Sequence, residues 1–133
     1  MEHRAVIYGQ PPSKSNSYKI ITISGHASMA KTSATKEYEK QFYLQCPYRN
    51  QNINKFFTLD VDVYFKSNQP DLDNALKVVL DCLQSCKAIA NDRFCTEIHA
   101  RKLIDKENPR AEIAILPKSN FELKYTVTKK EMD

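Results

Sequence analysis

Residues 55–66, KFFTLDVDVYFK, alternate without a break: Phe57, Leu59, Val61, Val63 and Phe65 fall on one side, Thr58, Asp60, Asp62 and Tyr64 on the other. A period of two over this length marks a strand with one face on a core. Only KSNQP separates it from DLDNALKVVLDCLQSCK, where Leu72, Leu76, Val79, Leu83 and Cys86 recur at spacings of four, three, four and three. That stripe belongs to an amphipathic helix. A half-buried strand joined to such a helix by a short loop has to pack against it, which makes the chain a layered α+β protein. At 133 residues there is material for one core and not for two.

The flanking sequence fills in a small mixed sheet with two main helices. Residues 4–9 and 19–24 read as strands, the second ending at Gly25, and QPPSKSNSYK and GHASMAKTS read as loops. Residues 33–45 have near-helical apolar spacing, with Ser33 or Thr35 as N-cap and an end before Pro47. Residues 94–104 and 110–116 read as strands joined by the turn DKENP, and their alternation predicts that they pair as a hairpin. Residues 1–117 then form the folded domain, and 118–133, which end KKEMD, form a flexible or partner-binding tail. Gly9 and Gly25 are the only glycines, so glycine-rich phosphate loops are excluded.

No apolar run reaches the roughly 20 residues that a membrane helix needs, and MEHRAVIYGQ lacks the apolar stretch of a secretory signal. The expectation is a cytoplasmic protein with no membrane partner. Its four cysteines are expected to stay reduced; Cys82 and Cys86 stand at i, i+4, but no second Cys or His pair completes a zinc site. The net charge of +4 permits a polyanionic partner without demanding one. Within residues 13–40, Lys14, Lys19, Lys31, Lys36 and Lys40 face only Glu37 and Glu39, a segment able either to track phosphates or simply to stay solvated.

The chemistry concentrates at the start of the second helix. Asp71 and Asp73 can be an N-cap and a first-turn acid favoured by the helix dipole. They can also be the one or two carboxylates with which Mg²⁺ is held, waters and phosphate oxygens completing its shell. Lys77, one turn beyond Asp73, Asn74 beside it, and the later Asn91-Asp92-Arg93 suit the second role; the plainer alternative for Lys77 is a surface ion pair with Asp73 or Asp81. His3, His26 and His99 are scattered and carry no motif.

DLDNALKVVLDCL followed by AIANDRFCTEIHARK resembles the RusA family of Holliday-junction resolvases of bacteria, phages and prophages, and PPSKSNSY resembles that family's loop after the first strand. The likeness runs over about residues 6–103; position 91 is Asn where the family often has a second Asp. It implies a homodimer that binds branched DNA and makes paired nicks across a four-way junction. Asp71, Asp73 and Asp92 would bind Mg²⁺, with Mn²⁺ able to substitute, and Lys77 would assist. Lys14, Asn16, Lys19, Lys31, Asn74, Arg93, Arg101 and Lys102 are the candidate DNA contacts. A nuclease for other branched DNA and a non-catalytic DNA-binding module of the same fold are the alternatives. Helix length raises a geometric question: from Asp73 to Cys86 the helix rises about 20 Å, and the six further residues to Asp92 span at most roughly 22 Å. Either the helix ends early, or Asp92 reaches the Asp71–Asp73 pair of a second protomer.

Overall fold

The computed structural model describes residues 4–118. The proposed tail lies almost wholly outside them. Ten elements follow in order: β1 (Ala5–Tyr8), a 3-10 turn (Lys14–Asn16), β2 (Tyr18–Ile23), β3 (His26–Lys31), α1 (Ser33–Gln45), β4 (Phe57–Phe65), α2 (Leu72–Ser85), a 3-10 turn (Asp92–Phe94), β5 (Cys95–Ile104) and β6 (Arg110–Pro117). The main sheet has the order β1-β6-β4-β5; β4 pairs parallel with β5 and antiparallel with β6. The fold is a single α+β domain with a mixed sheet and two helices.

The alternating side chains of β4 form the middle of the core. Phe57, Leu59, Val61, Val63 and Phe65 join Ala5 and Ile7 of β1, Ala111, Ile113 and Ile115 of β6, Tyr38 and Phe42 of α1, and Ala75, Val79 and Leu83 of α2. Each large apolar side chain removed from water there contributes roughly 1.5–3 kcal/mol, before the entropy of ordering it is set against that gain. Cys46, Cys82 and Cys86 are buried at the ends of the two helices, and burial pushes the Cys82 thiol far above its ordinary range. Among the described residues, no helix is long and apolar enough to cross a membrane.

Three expectations are corrected. GHASMAKTS is not a loop: His26–Lys31 is a strand, paired in full register with β2 through a two-residue turn in which Ser24 and Gly25 have φ of 52° and 81°. Two left-handed residues in a row match the twist of a hairpin. The strand carries no apolar alternation because almost all of it is exposed and its backbone alone does the pairing. The β5–β6 hairpin does not form either. β4 lies between the two strands, and the Asp105 N–H donates to Phe65 O (2.9 Å) where the chain crosses the end of β4. Alternation predicts which face a residue occupies, not which strand is its neighbour. α1 is capped one residue early, by Thr32, whose side chain accepts from the Thr35 N–H. The second face of β4 is itself partly covered, since Asp62 is only 6% exposed and Thr58 is also buried.

Candidate functional site

α2 begins at Asp71, which has the extended backbone of an N-cap (φ −90°, ψ 135°) but makes no side-chain capping bond. The capping role therefore leaves this carboxylate uncommitted. Asp73, one residue into the helix, accepts among the described residues only from the neighbouring Asn74 N–H, through Oδ1 (2.9 Å). Both acids are exposed at the positive end of the helix dipole.

Three clasps hold the loop that delivers them. Gln10 Oε1 accepts from the Lys66 N–H (2.9 Å), Lys102 Nζ donates to Asn68 O (2.8 Å), and Asn74 Nδ2 donates to Pro12 O (3.1 Å). The Pro-Ser-rich segment is thereby tied to both flanks of Asp71. It is itself folded by Ser17 Oγ donating to Ser13 O (2.7 Å) and Thr32 Oγ1 donating to Asn16 O (2.6 Å). Asn74 and Lys102, expected at the DNA, thus spend hydrogen bonds on the architecture of the site.

Asp71, Asp73, Lys77, Asp81 and Gln84 line one wall of a cleft of about 1080 Å³, opposite Lys19, Ile20, Met29 and Lys31 of the β2–β3 hairpin. At the far end Lys31 pairs with Glu39 of α1 (2.8 Å), a contact that raises the lysine's pKa. Lys77 has no ion pair among the described residues, although its charge acts on Asp81. Desolvation raises the pKa of Asp81, and nearby Asp92 adds to that shift while Lys77 opposes it.

Asp92 stands apart from the other two acids. Its backbone N–H donates to Gln84 Oε1 (3.0 Å), so it is fastened to the last turn of α2. Eleven residues separate Asp73 from Gln84, a rise of about 16 Å at ~1.5 Å per residue. Among the described residues, no three of His, Cys, Asp and Glu come together as a metal cage within one chain.

The remaining candidates divide. Lys19 and Lys31 face the cleft; Lys14 and Asn16 belong to the 3-10 turn beside it. Arg93 lies over the ring of Phe94 (5.1 Å). Arg101 is on the opposite side of the sheet, bidentate on buried Asp62 (2.8 and 2.9 Å). Asp81 and Gln84 went unassigned in the sequence, although the spacing Asp73, Lys77, Asp81, Gln84 (four, four, three) already places them on one helix face.

A protein-family model, Endodeoxyribonuclease RusA, matches residues 9–116, a span that contains the cleft, Asp92, both helices and every strand except β1 and the last residue of β6. The chain belongs to the RusA endodeoxyribonuclease family. Its activity is accordingly that of an endodeoxyribonuclease of the junction-resolving kind, with branched DNA as the partner. No curated protein matches the chain.

Proposed function

We propose that the protein resolves four-way DNA junctions by paired symmetric nicks, as a Mg²⁺-dependent homodimer in which each site combines Asp71, Asp73 and Lys77 of one protomer with Asp92 of the other. The observation that carries this is the fastening of Asp92 to Gln84, the length of α2 away from Asp71 and Asp73. A single protomer offers two exposed carboxylates that enter no ion pair among the described residues, which fits the one or two that Mg²⁺ takes alongside waters and phosphate oxygens. A third carboxylate comes from a two-fold partner, and a closed dimer then has two equivalent sites for two nicks.

Bound there, the ion would supply an activated water and neutralise phosphate charge. The chain's own residues do the rest. Asp71 and Asp73, placed by the Gln10, Lys102 and Asn74 clasps, would hold the ion and through it set where the scissile phosphate sits. Lys77, one turn further and without an ion pair among the described residues, offers its ammonium to the charge that builds on the phosphate oxygens. The lysines of the hairpin wall, Lys19 and Lys31, attract the strand electrostatically.

The test mixes an Asp73→Asn protein with an Asp92→Asn protein, each inactive alone. In the mixed dimer one site carries both defects and the other neither, so single-strand nicking of a labelled four-way junction returns. If nicking stays absent although subunit exchange is demonstrated, the site lies within one protomer. Forks, flaps and duplex run in parallel decide the substrate, and equal cutting of a fork would remove the preference for four-way junctions.

A further inference from the structure

We infer that Gln84 is a positioning residue for the reaction: its side-chain oxygen sets the height of Asp92 along α2 and so the geometry of the third carboxylate. The inference rests on the proposal that Asp92 acts at the metal, and goes beyond it.

The turn Asp92–Phe94 is held on two sides. On one side it is self-contained: Asn91 Oδ1 accepts from the Arg93 N–H (2.9 Å), the Phe94 N–H donates to Asn91 O (3.2 Å), and the Phe94 ring packs against Phe56 with centroids 6.0 Å apart. These contacts shape the turn without relating it to the helix that carries Asp71 and Asp73. On the other side, the bond from the Asp92 N–H to Gln84 Oε1 is the one hydrogen bond, among the described residues, between α2 and the turn. Gln84 shares a helix face with Asp73, Lys77 and Asp81 and lines the same cleft. In the dimer, one rigid helix then presents a carboxylate pair to the first site and, through Gln84, a single carboxylate to the second. Loss of an outer group that orients a metal ligand typically lowers metal affinity or activity by roughly 10–100-fold.

Gln84 is exposed, and water can replace its bond to the Asp92 amide. Its loss should therefore leave the fold intact and appear in metal use. Two variants separate shape from hydrogen bonding: Gln84→Met keeps the length and loses the acceptor, and Gln84→Glu keeps an acceptor oxygen. The readouts are the Mg²⁺ concentration for half-maximal junction cleavage and, without DNA, Mn²⁺ binding followed by electron paramagnetic resonance. With Gln84→Met, half-activation is expected to move up about tenfold and Mn²⁺ binding to weaken in parallel, while the rate at saturating Mg²⁺, metal-free junction binding and thermal midpoint stay near wild type. Gln84→Glu is expected to recover most of the wild-type Mg²⁺ response. Unchanged half-activation in Gln84→Met, or equal impairment of both variants, overturns the inference. Asp92→Asn serves as the control: if it cuts junctions normally, the assignment of Asp92 itself fails, an outcome distinct from an inert Gln84.

Discussion

The outer face of the sheet and the cleft beside α2 both carry charge and use it in opposite ways. On the outer face the register brings Glu112 of β6, Asp62 of β4 and Arg101 of β5 into one cross-strand row. Arg4 bonds Asp60 (2.7 Å) and reaches Asp62 (3.7 Å), Arg101 closes on Asp62, and Arg110 bonds both Asp105 and Glu112 (2.8 Å each) while stacking on Tyr64 (3.8 Å). Lys118 and His99 both meet Glu97. In the cleft, by contrast, Asp71, Asp73 and Lys77 enter no ion pair among the described residues. Charges already matched to each other hold a sheet together; charges left unmatched are available to an ion and a phosphate.

The sharpest way to break this comparison is to neutralise one carboxylate on each side. Asp71→Asn, Asp73→Asn or Asp92→Asn is expected to lower junction cleavage by at least about a thousandfold, the several kcal/mol of charge stabilisation a metal site provides, with junction binding kept or strengthened. Asp62→Asn is expected to cut at a near-normal rate at 25 °C. Nicking and gel-shift assays on the same preparations read both. A cleft variant that nicks at the wild-type rate would show that its carboxylate is not required.

Stability should rank the same residues in reverse. The guanidinium of Arg101 bonded to Asp62 lowers this carboxyl's pKa, with Arg4 assisting. Asp62→Ala removes charge-assisted bonds and leaves two cations facing each other, at a cost of about 1–3 kcal/mol, tempered because Arg101 is largely exposed to solvent. The midpoint of thermal unfolding is expected to fall by roughly 5–10 °C. A pH dependence follows with a definite sign. A carboxyl with a depressed folded pKa contributes stability above its unfolded value of about 3.9, and that contribution is lost as pH falls through the folded value. Wild type should therefore lose stability more steeply than Asp62→Asn below about pH 4. Parallel acid-unfolding curves would show that the outer network is merely decorative.

This division also explains what could be read in advance. β4, α1 and α2 were legible because burial writes its period into the sequence, and the DLDN motif marked the helix start because carboxylates and Lys77 stand at helical spacing. β3 was missed because an exposed strand of Ala, Ser and Lys needs no apolar period to pair. Asp62 and Arg101 were missed as partners because β4 and β5 meet only after the α2 crossover, and nothing local signals that Arg101 will close on a carboxylate 39 residues earlier. The long reach to Asp92 was legible as a constraint of chain length, while its anchor at Gln84 required the fold.

The smallest expected effect concerns DNA affinity, and it separates cations of the cleft from cations of the outer face. Lys19 lines the cleft and enters no ion pair among the described residues, so a phosphate placed at Asp71 and Asp73 has a ready counter-charge on the opposite wall. Each phosphate contact that releases a counterion adds about 0.9 to the slope of log affinity against log salt. Lys19→Ala should accordingly weaken junction binding a few-fold at moderate salt and flatten the slope by about one. Arg101→Ala should leave the slope unchanged, because its guanidinium is already spent on Asp62. Lys31→Ala is expected to fall between the two, since its pairing with Glu39 has to loosen before it can serve a phosphate. Fluorescence titrations of a metal-free four-way junction at several salt concentrations measure all three. If Arg101→Ala flattens the slope and Lys19→Ala does not, DNA runs across the outer face of the sheet and the cleft assignment of the phosphate is wrong.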